Sequence, residues 1–157
     1  MAPSTINDAE AHQFFSTHCF NRAWDLMRKS SRSALECEQM LLLSQASLWH
    51  WTQRSECTPK NLSIGHWQLS RVYAMLGQGE NALRSARMCL HYSENTSPFF
   101  IGYAHEALAR SAMVEDDDIG KAHHLKEARR YLAQVTNDRD RALLQADLQS
   151  LEGEHAT

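Results

Sequence analysis

A chain of 157 residues can bury one real core and is too short for two ordinary domains, so one domain over 1–157 is expected. A formal net charge of -3, with Lys and Arg spread among Asp and Glu, gives no electrostatic reason to expect nucleic acid or an anionic membrane as partner. Cys19, Cys37, Cys57 and Cys89 stand far apart with no CxxC pair, which suits reduced thiols in the cytoplasm better than a disulfide frame or a zinc site.

In chain order, "MAPSTINDAEAHQFF" lacks a basic start followed by a long apolar core. No later stretch approaches the roughly 18 apolar residues that cross a bilayer, and a cytoplasmic location is expected. Pro3, Pro59 and Pro98 all fall outside periodic segments, which favours long helices. Asn7-x-x-Glu10 and Ser33-x-x-Glu36 have the form of capping boxes. They predict a first helix over about 8–29, with Phe14, Phe15, Ala23, Leu26 and Met27 apolar, and a second over about 33–54. The second carries Leu35, Leu42, Ala46 and Trp49 on one side, at spacings of a helical face.

"SECTPKN" reads as a turn in which Pro59 stops the second helix. Leu69, Val72, Tyr73 and Leu76 predict a third helix over about 61–76, and Gly77 and Gly79 end it. A fourth, about 80–93, carries Ala82, Leu83, Ala86 and Leu90, small enough for a neighbour to approach closely. Ser97-Pro98 starts a fifth over about 98–113, bearing Phe100, Tyr103, Ala104, Ala107 and Leu108. "EDDD" ends it and Asp118 caps a sixth, 119–135, with Ala122, Leu125, Ala128, Leu132 and Val135. A seventh, about 138–152, is amphipathic through Leu144, Leu148 and Leu151. No segment alternates with period two, so the fold class is all-α.

The third and fourth helices form a unit of about 34 residues, the length of a tetratricopeptide repeat. Counted from Ser63, the residues Leu69, Ser70, Tyr73, Gly77 and Ala82 fall at the leucine, small, aromatic, glycine and first-alanine places of that pattern. Residues 63–96 therefore resemble a tetratricopeptide repeat. Residues 97–135 match more loosely, with Ala104 at the small place, Ala122 in the second helix and Ala107 where the aromatic belongs; 1–60 form a long, distorted hairpin. The resemblance implies antiparallel hairpins stacked in a right-handed array, closed by 138–152 as a capping helix. A plain helical bundle is the alternative architecture.

The resemblance also implies a concave groove lined by the first helix of each hairpin. Trp67 and Arg71 take lining places in the first clear unit, and Ile101 and His105 in the second. A guanidinium over an indole with a histidine alongside would suit an anionic or planar group. The plainer alternative is an ordinarily packed Trp67 with Arg71 reaching to water. "LWHWTQR" adds His50 and Trp51, since Trp49 and Trp51 point about 200° apart and cannot share one narrow stripe.

His123 and His124 with Glu127 make only a two-ligand start for a metal, "EDDD" lacks calcium-loop spacing, and no nucleophile, phosphate-loop or dinucleotide motif is present. The expected function is binding of a protein or peptide partner, with no catalytic residue, cofactor or metal. A small-molecule pocket near Trp51, Trp67 and Arg71, with or without catalysis, is the second expectation. A homodimer through apolar surface on the end helices is the third.

Overall fold

The structure, a computed structural model, describes residues 7–153. Pro3 and the remaining ends of the expected domain, 1–6 and 154–157, lie outside the described residues. The described residues form seven α-helices and no strand: α1 (Asp8–Met27), α2 (Ala34–Thr52), α3 (Pro59–Met75), α4 (Gly79–Ser93), α5 (Pro98–Val114), α6 (Asp118–Leu132) and α7 (Asp138–Gly153).

Their starts are set by local chemistry. At α2 the Ser33 hydroxyl accepts from the Glu36 amide at 3.2 Å and the Ser33 amide donates back to Glu36 Oε2 at 2.9 Å, a complete capping box. At α1 Asn7 Oδ1 accepts from the Glu10 amide at 3.4 Å. Two expected starts shift. Pro59 opens α3 as its first helical residue, with Thr58 as the cap reciprocated by Asn61, because proline lacks only an amide that has no partner there. Asp117, rather than Asp118, caps α6, accepting from the Gly120 amide at 2.9 Å.

Helices α1 and α2, α3 and α4, and α5 and α6 pack as pairs. α2 meets α3, α4 meets α5, α3 meets α5, and α7 packs on α5 and α6. The α3/α4 pair closes tightly: Ser70 Oγ donates to the Ala82 carbonyl at 2.9 Å. Leu69, Tyr73, Ala74 and Ala82 form a buried cluster there, with Leu41, Leu48 and Val114 against it. Each large apolar side chain buried in this way stabilises the fold by about 1.5–3 kcal/mol.

The α3/α4 and α5/α6 turns share one backbone path. Gly77 has φ 71° and Asp116 φ 56°; the Gln78 amide donates to the Tyr73 carbonyl and the Asp117 amide to the Ala112 carbonyl, both at 2.9 Å. Ala112, not Ala107, thus stands in α5 where Tyr73 stands in α3, and the expected register of the second unit shifts by five residues. Ala104 and Ala107 are buried as core residues, whereas Ala122 is exposed.

The side of α2 expected to face the core faces out. Leu35, Leu42 and Trp49 are exposed, and Met40, Ser44 and Ser47 are buried instead. Serine serves as the small residue at this contact, since the Ser47 hydroxyl donates to the Ser16 carbonyl across to α1 at 2.7 Å. Phe14 and Phe15 of α1 are exposed as well, while Ala23 and Met27 are buried. On α7 the pattern holds: Leu144, Leu148 and Leu151 are fully buried. A Cβ on Gly102 would stand 2.6 Å from Leu144 Cδ2, so the glycine lets α7 approach α5. No helix among the described residues is long and apolar enough to cross a membrane. All four cysteines are free.

Candidate functional site

The odd-numbered helices converge on a cavity of about 340 Å³. α1 contributes Phe20 and Trp24, α3 Ile64 and Trp67, α5 Phe99, Phe100 and Tyr103, and α7 Leu143 and Asp147. Ser63 and Cys89 complete the wall. Its six aromatic rings touch in sequence. Phe20 meets Trp24 edge-on at 6.5 Å between centroids, Trp24 meets Trp67 at 5.6 Å, and Trp67 meets Tyr103 edge-on at 5.3 Å. Tyr103 meets Phe99 at 5.0 Å and Phe99 meets Phe100 at 5.2 Å, again edge-on. Edge-to-face contacts are a favoured aromatic geometry, worth about 0.5–1.5 kcal/mol each, so neighbouring rings of the belt support one another.

Behind the belt runs a chain of alternating charges. Glu106 is fully buried in α5 and accepts from Arg110 Nε at 2.8 Å and Nη2 at 2.6 Å, and from Trp67 Nε1 at 2.9 Å. Arg71 Nη1 lies 3.4 Å from Glu106 Oε1 and 3.1 Å from Asp147 Oδ1. The Tyr103 hydroxyl donates to Asp147 Oδ2 at 2.9 Å. Burial, with the Asp147 carboxylate beside it, holds this hydroxyl protonated well above the ordinary tyrosine range. Arg71 therefore ties α3 to α5 and α7.

Of the residues singled out by sequence, Trp67 lines the cavity and Arg71 lies over its ring, 5.6 Å from the centroid. The guanidinium is held between two carboxylates rather than presented to a ligand. An anionic group there would have to displace Asp147. Arg71→Ala is accordingly expected to lower stability by about 1–3 kcal/mol, because it strips a donor from two partly or fully buried carboxylates. A urea midpoint unchanged from the parent protein would show that Arg71 is a surface group after all.

Ile101 and His105 do not reach this cavity. His105 Nδ1 lies 3.2 Å from His124 Nδ1 and its ring stacks on Tyr131. No group of three or more metal-ligating side chains comes together among the described residues. His50 sits at the α1/α2 contact with Nδ1 2.8 Å from His12 Nδ1, and burial and then His12 lower its proton affinity. Trp51 lines a second, smaller hollow with Thr17, Phe20, Asn21, Asn61 and Ile64, and Arg54 covers it at 3.9 Å from the ring centroid. The two hollows share Phe20 and Ile64, so they adjoin along α1 and α3.

Two histidines couple the fold to pH. Burial lowers His66 to about 4, and its Nδ1 is buried without a hydrogen-bond partner. Burial and then the His124 charge lower His105 to about 4. Against an ordinary value of 6.5, both rings bind protons more readily in the unfolded chain. Their contribution to stability is full above about pH 6.5 and is lost as the pH falls toward 4. The urea midpoint is expected to be lower at pH 5 than at pH 7.5, and less so in His66→Phe; equal midpoints at the two pH values would contradict this.

Glu106, Asp147, Tyr103, Phe99, Phe20 and Trp24 are site residues that the pattern reading passed over. One local signal was available, Glu106 and Arg110 four apart among alanines in "HEALARSA", a charged pair on an otherwise apolar helix. Compared with protein-family models, with curated proteins and with solved structures, the chain finds no match.

Proposed function

We propose that this chain is a tetratricopeptide-like interaction module that binds a protein or peptide partner on the face formed by α1, α3, α5 and α7, seating one group of the partner in the aromatic cavity. The observation that carries this is the belt of six rings around a cavity built from alternate helices. Clustered, partly buried Trp and Tyr side chains of this kind are the composition in which binding hot spots are enriched. The burial of Leu69, Ser70, Tyr73 and Ala82 at the α3/α4 contact and the matching turns at Gly77 and Asp116 support the repeat-like reading. Hairpins beginning at Pro59 and Pro98 are spaced more widely than the 34 residues of the family pattern, which makes this a divergent array. α7 serves in it as the closing helix.

Binding rather than catalysis fits the polar groups. Asp147, the charged residue on the cavity wall, has both oxygens engaged, one with Arg71 and one with Tyr103. A small molecule as the occupant is the second reading, favoured by a volume of about 340 Å³, at the low end of small-ligand sites.

Leu143 tests both. It is half exposed at the cavity rim, so Leu143→Trp should fill the opening with little effect on stability. Selection of a random peptide library on the full chain is expected to yield sequences that the variant fails to bind. Equal binding by a folded Leu143→Trp would remove the cavity from the function.

A further inference from the structure

We infer that the group seated in this cavity is an organic cation, an alkylated ammonium held against the rings with its charge toward Asp147. The inference rests on the cavity being the binding site and adds the chemistry of its guest.

Three observations point the same way. First, aromatic faces are the negative side of the ring quadrupole and attract cations; six rings line this cavity and touch one another edge-on or tilted. Second, two of the rings donate to carboxylates: Trp67 Nε1 to Glu106 at 2.9 Å and the Tyr103 hydroxyl to Asp147 at 2.9 Å. A donor bonded to an anion is polarised, and electron density moves into its ring. Both rings become better cation hosts, and Trp67 already has the Arg71 guanidinium 5.6 Å from its centroid.

Third, the charges are ordered. In the chain Arg110, Glu106, Arg71, Asp147 the members alternate in sign and sum to zero, but its negative end, Asp147, is the charged residue on the cavity wall. No Lys, Arg or His lines the cavity, so the charged side chain that an anion would meet on its wall is a carboxylate, with Arg71 held behind it by Asp147. A neutral apolar guest would further desolvate the Asp147 carboxylate, which Arg71 and Tyr103 already hold, and would supply no charge in exchange, which costs free energy. An alkylated ammonium is weakly hydrated, meets the rings with its methyl or methylene groups and leaves its charge near the carboxylate. Such a group could belong to a free amine or to a modified lysine of a partner chain.

The test uses a matched pair of probes on the full chain, by calorimetric titration and by intrinsic tryptophan fluorescence, to which Trp24 and Trp67 at the cavity contribute beside Trp49 and Trp51. One probe is choline and the other is its neutral isostere, in which a tert-butyl group replaces the trimethylammonium. Choline is expected to bind at least about tenfold more tightly, as a desolvated cation–π site implies, and Asp147→Asn should abolish the preference. Because Asp147 also holds Arg71, the comparison on the unaltered protein decides the matter even if that variant does not fold. Equal or tighter binding of the isostere overturns the cation inference and leaves the cavity as a binding site. Failure of both probes also overturns it, while peptide selection blocked by Leu143→Trp would still uphold the interaction reading. A trimethyllysine peptide bound more tightly than choline places the cation on a partner chain; the reverse order places it on a free amine.

Discussion

Glu106→Ala is expected to destabilise the protein by about 3–5 kcal/mol, the loss that follows when one member of a buried ion pair is removed and the other stays behind. The carboxylate is fully buried and accepts from Arg110, Trp67 and Arg71. Arg110 is itself buried, so its guanidinium would lose its charged acceptor without gaining water. Against a typical total of about 5–15 kcal/mol, that is a large fraction of the stability. Glu106→Gln keeps the shape and one acceptor, and should fall between the parent and the alanine variant. Glu106→Leu combined with Arg110→Leu should recover much of the loss, because it removes both charges together. Urea denaturation of the four proteins checks the series. A loss below about 1 kcal/mol in Glu106→Ala would mean that water reaches Arg110.

Tyr73→Ala should cost a comparable 3–5 kcal/mol, roughly the effect of truncating a buried aromatic. The ring sits in the α3/α4 cluster with Leu69, Ala74 and Ala82, against Leu41 of α2 and Val114 of α5. A cavity there would loosen contacts of four helices at once. Tyr73→Phe removes only the hydroxyl, which accepts from Gln45 Nε2 at 3.0 Å, and should cost about 1 kcal/mol. The two losses separate packing from hydrogen bonding. If Tyr73→Ala kept the midpoint of the parent protein, the register assigned to α3 would be wrong.

Both residues show how far pattern reading reaches. Tyr73 is legible as a core residue because Leu69, Val72, Tyr73 and Leu76 repeat at helical spacing, and its ring is buried. Glu106 is not legible in the same way, since as the sequence neighbour of His105 it projects in a different direction and forms no dyad with it, and its partners Trp67 and Arg71 lie on another helix. On α2 the same rule misleads: Leu35, Leu42 and Trp49 make a good apolar stripe, yet Ser44 and Ser47 are buried beside Met40. Hydroxyls bonded to backbone carbonyls, Ser44 to Met40 at 2.9 Å and Ser47 to Ser16 at 2.7 Å, carry no unsatisfied polarity inward. Their small volume then permits helix contact that leucines would prevent. Hydropathy does not register either fact.

What the sequence determined by itself was the all-helical class, the seven segments to within a few residues and the buried face of α7. Caps, proline and glycine act over three or four residues, and an amphipathic face needs only its own helix. Only the tertiary structure decided which rings meet around the cavity and which acceptors hold Arg71. Trp24, Trp67, Tyr103 and Asp147 lie on four helices, and their meeting depends on how those helices pack, which no local spacing encodes.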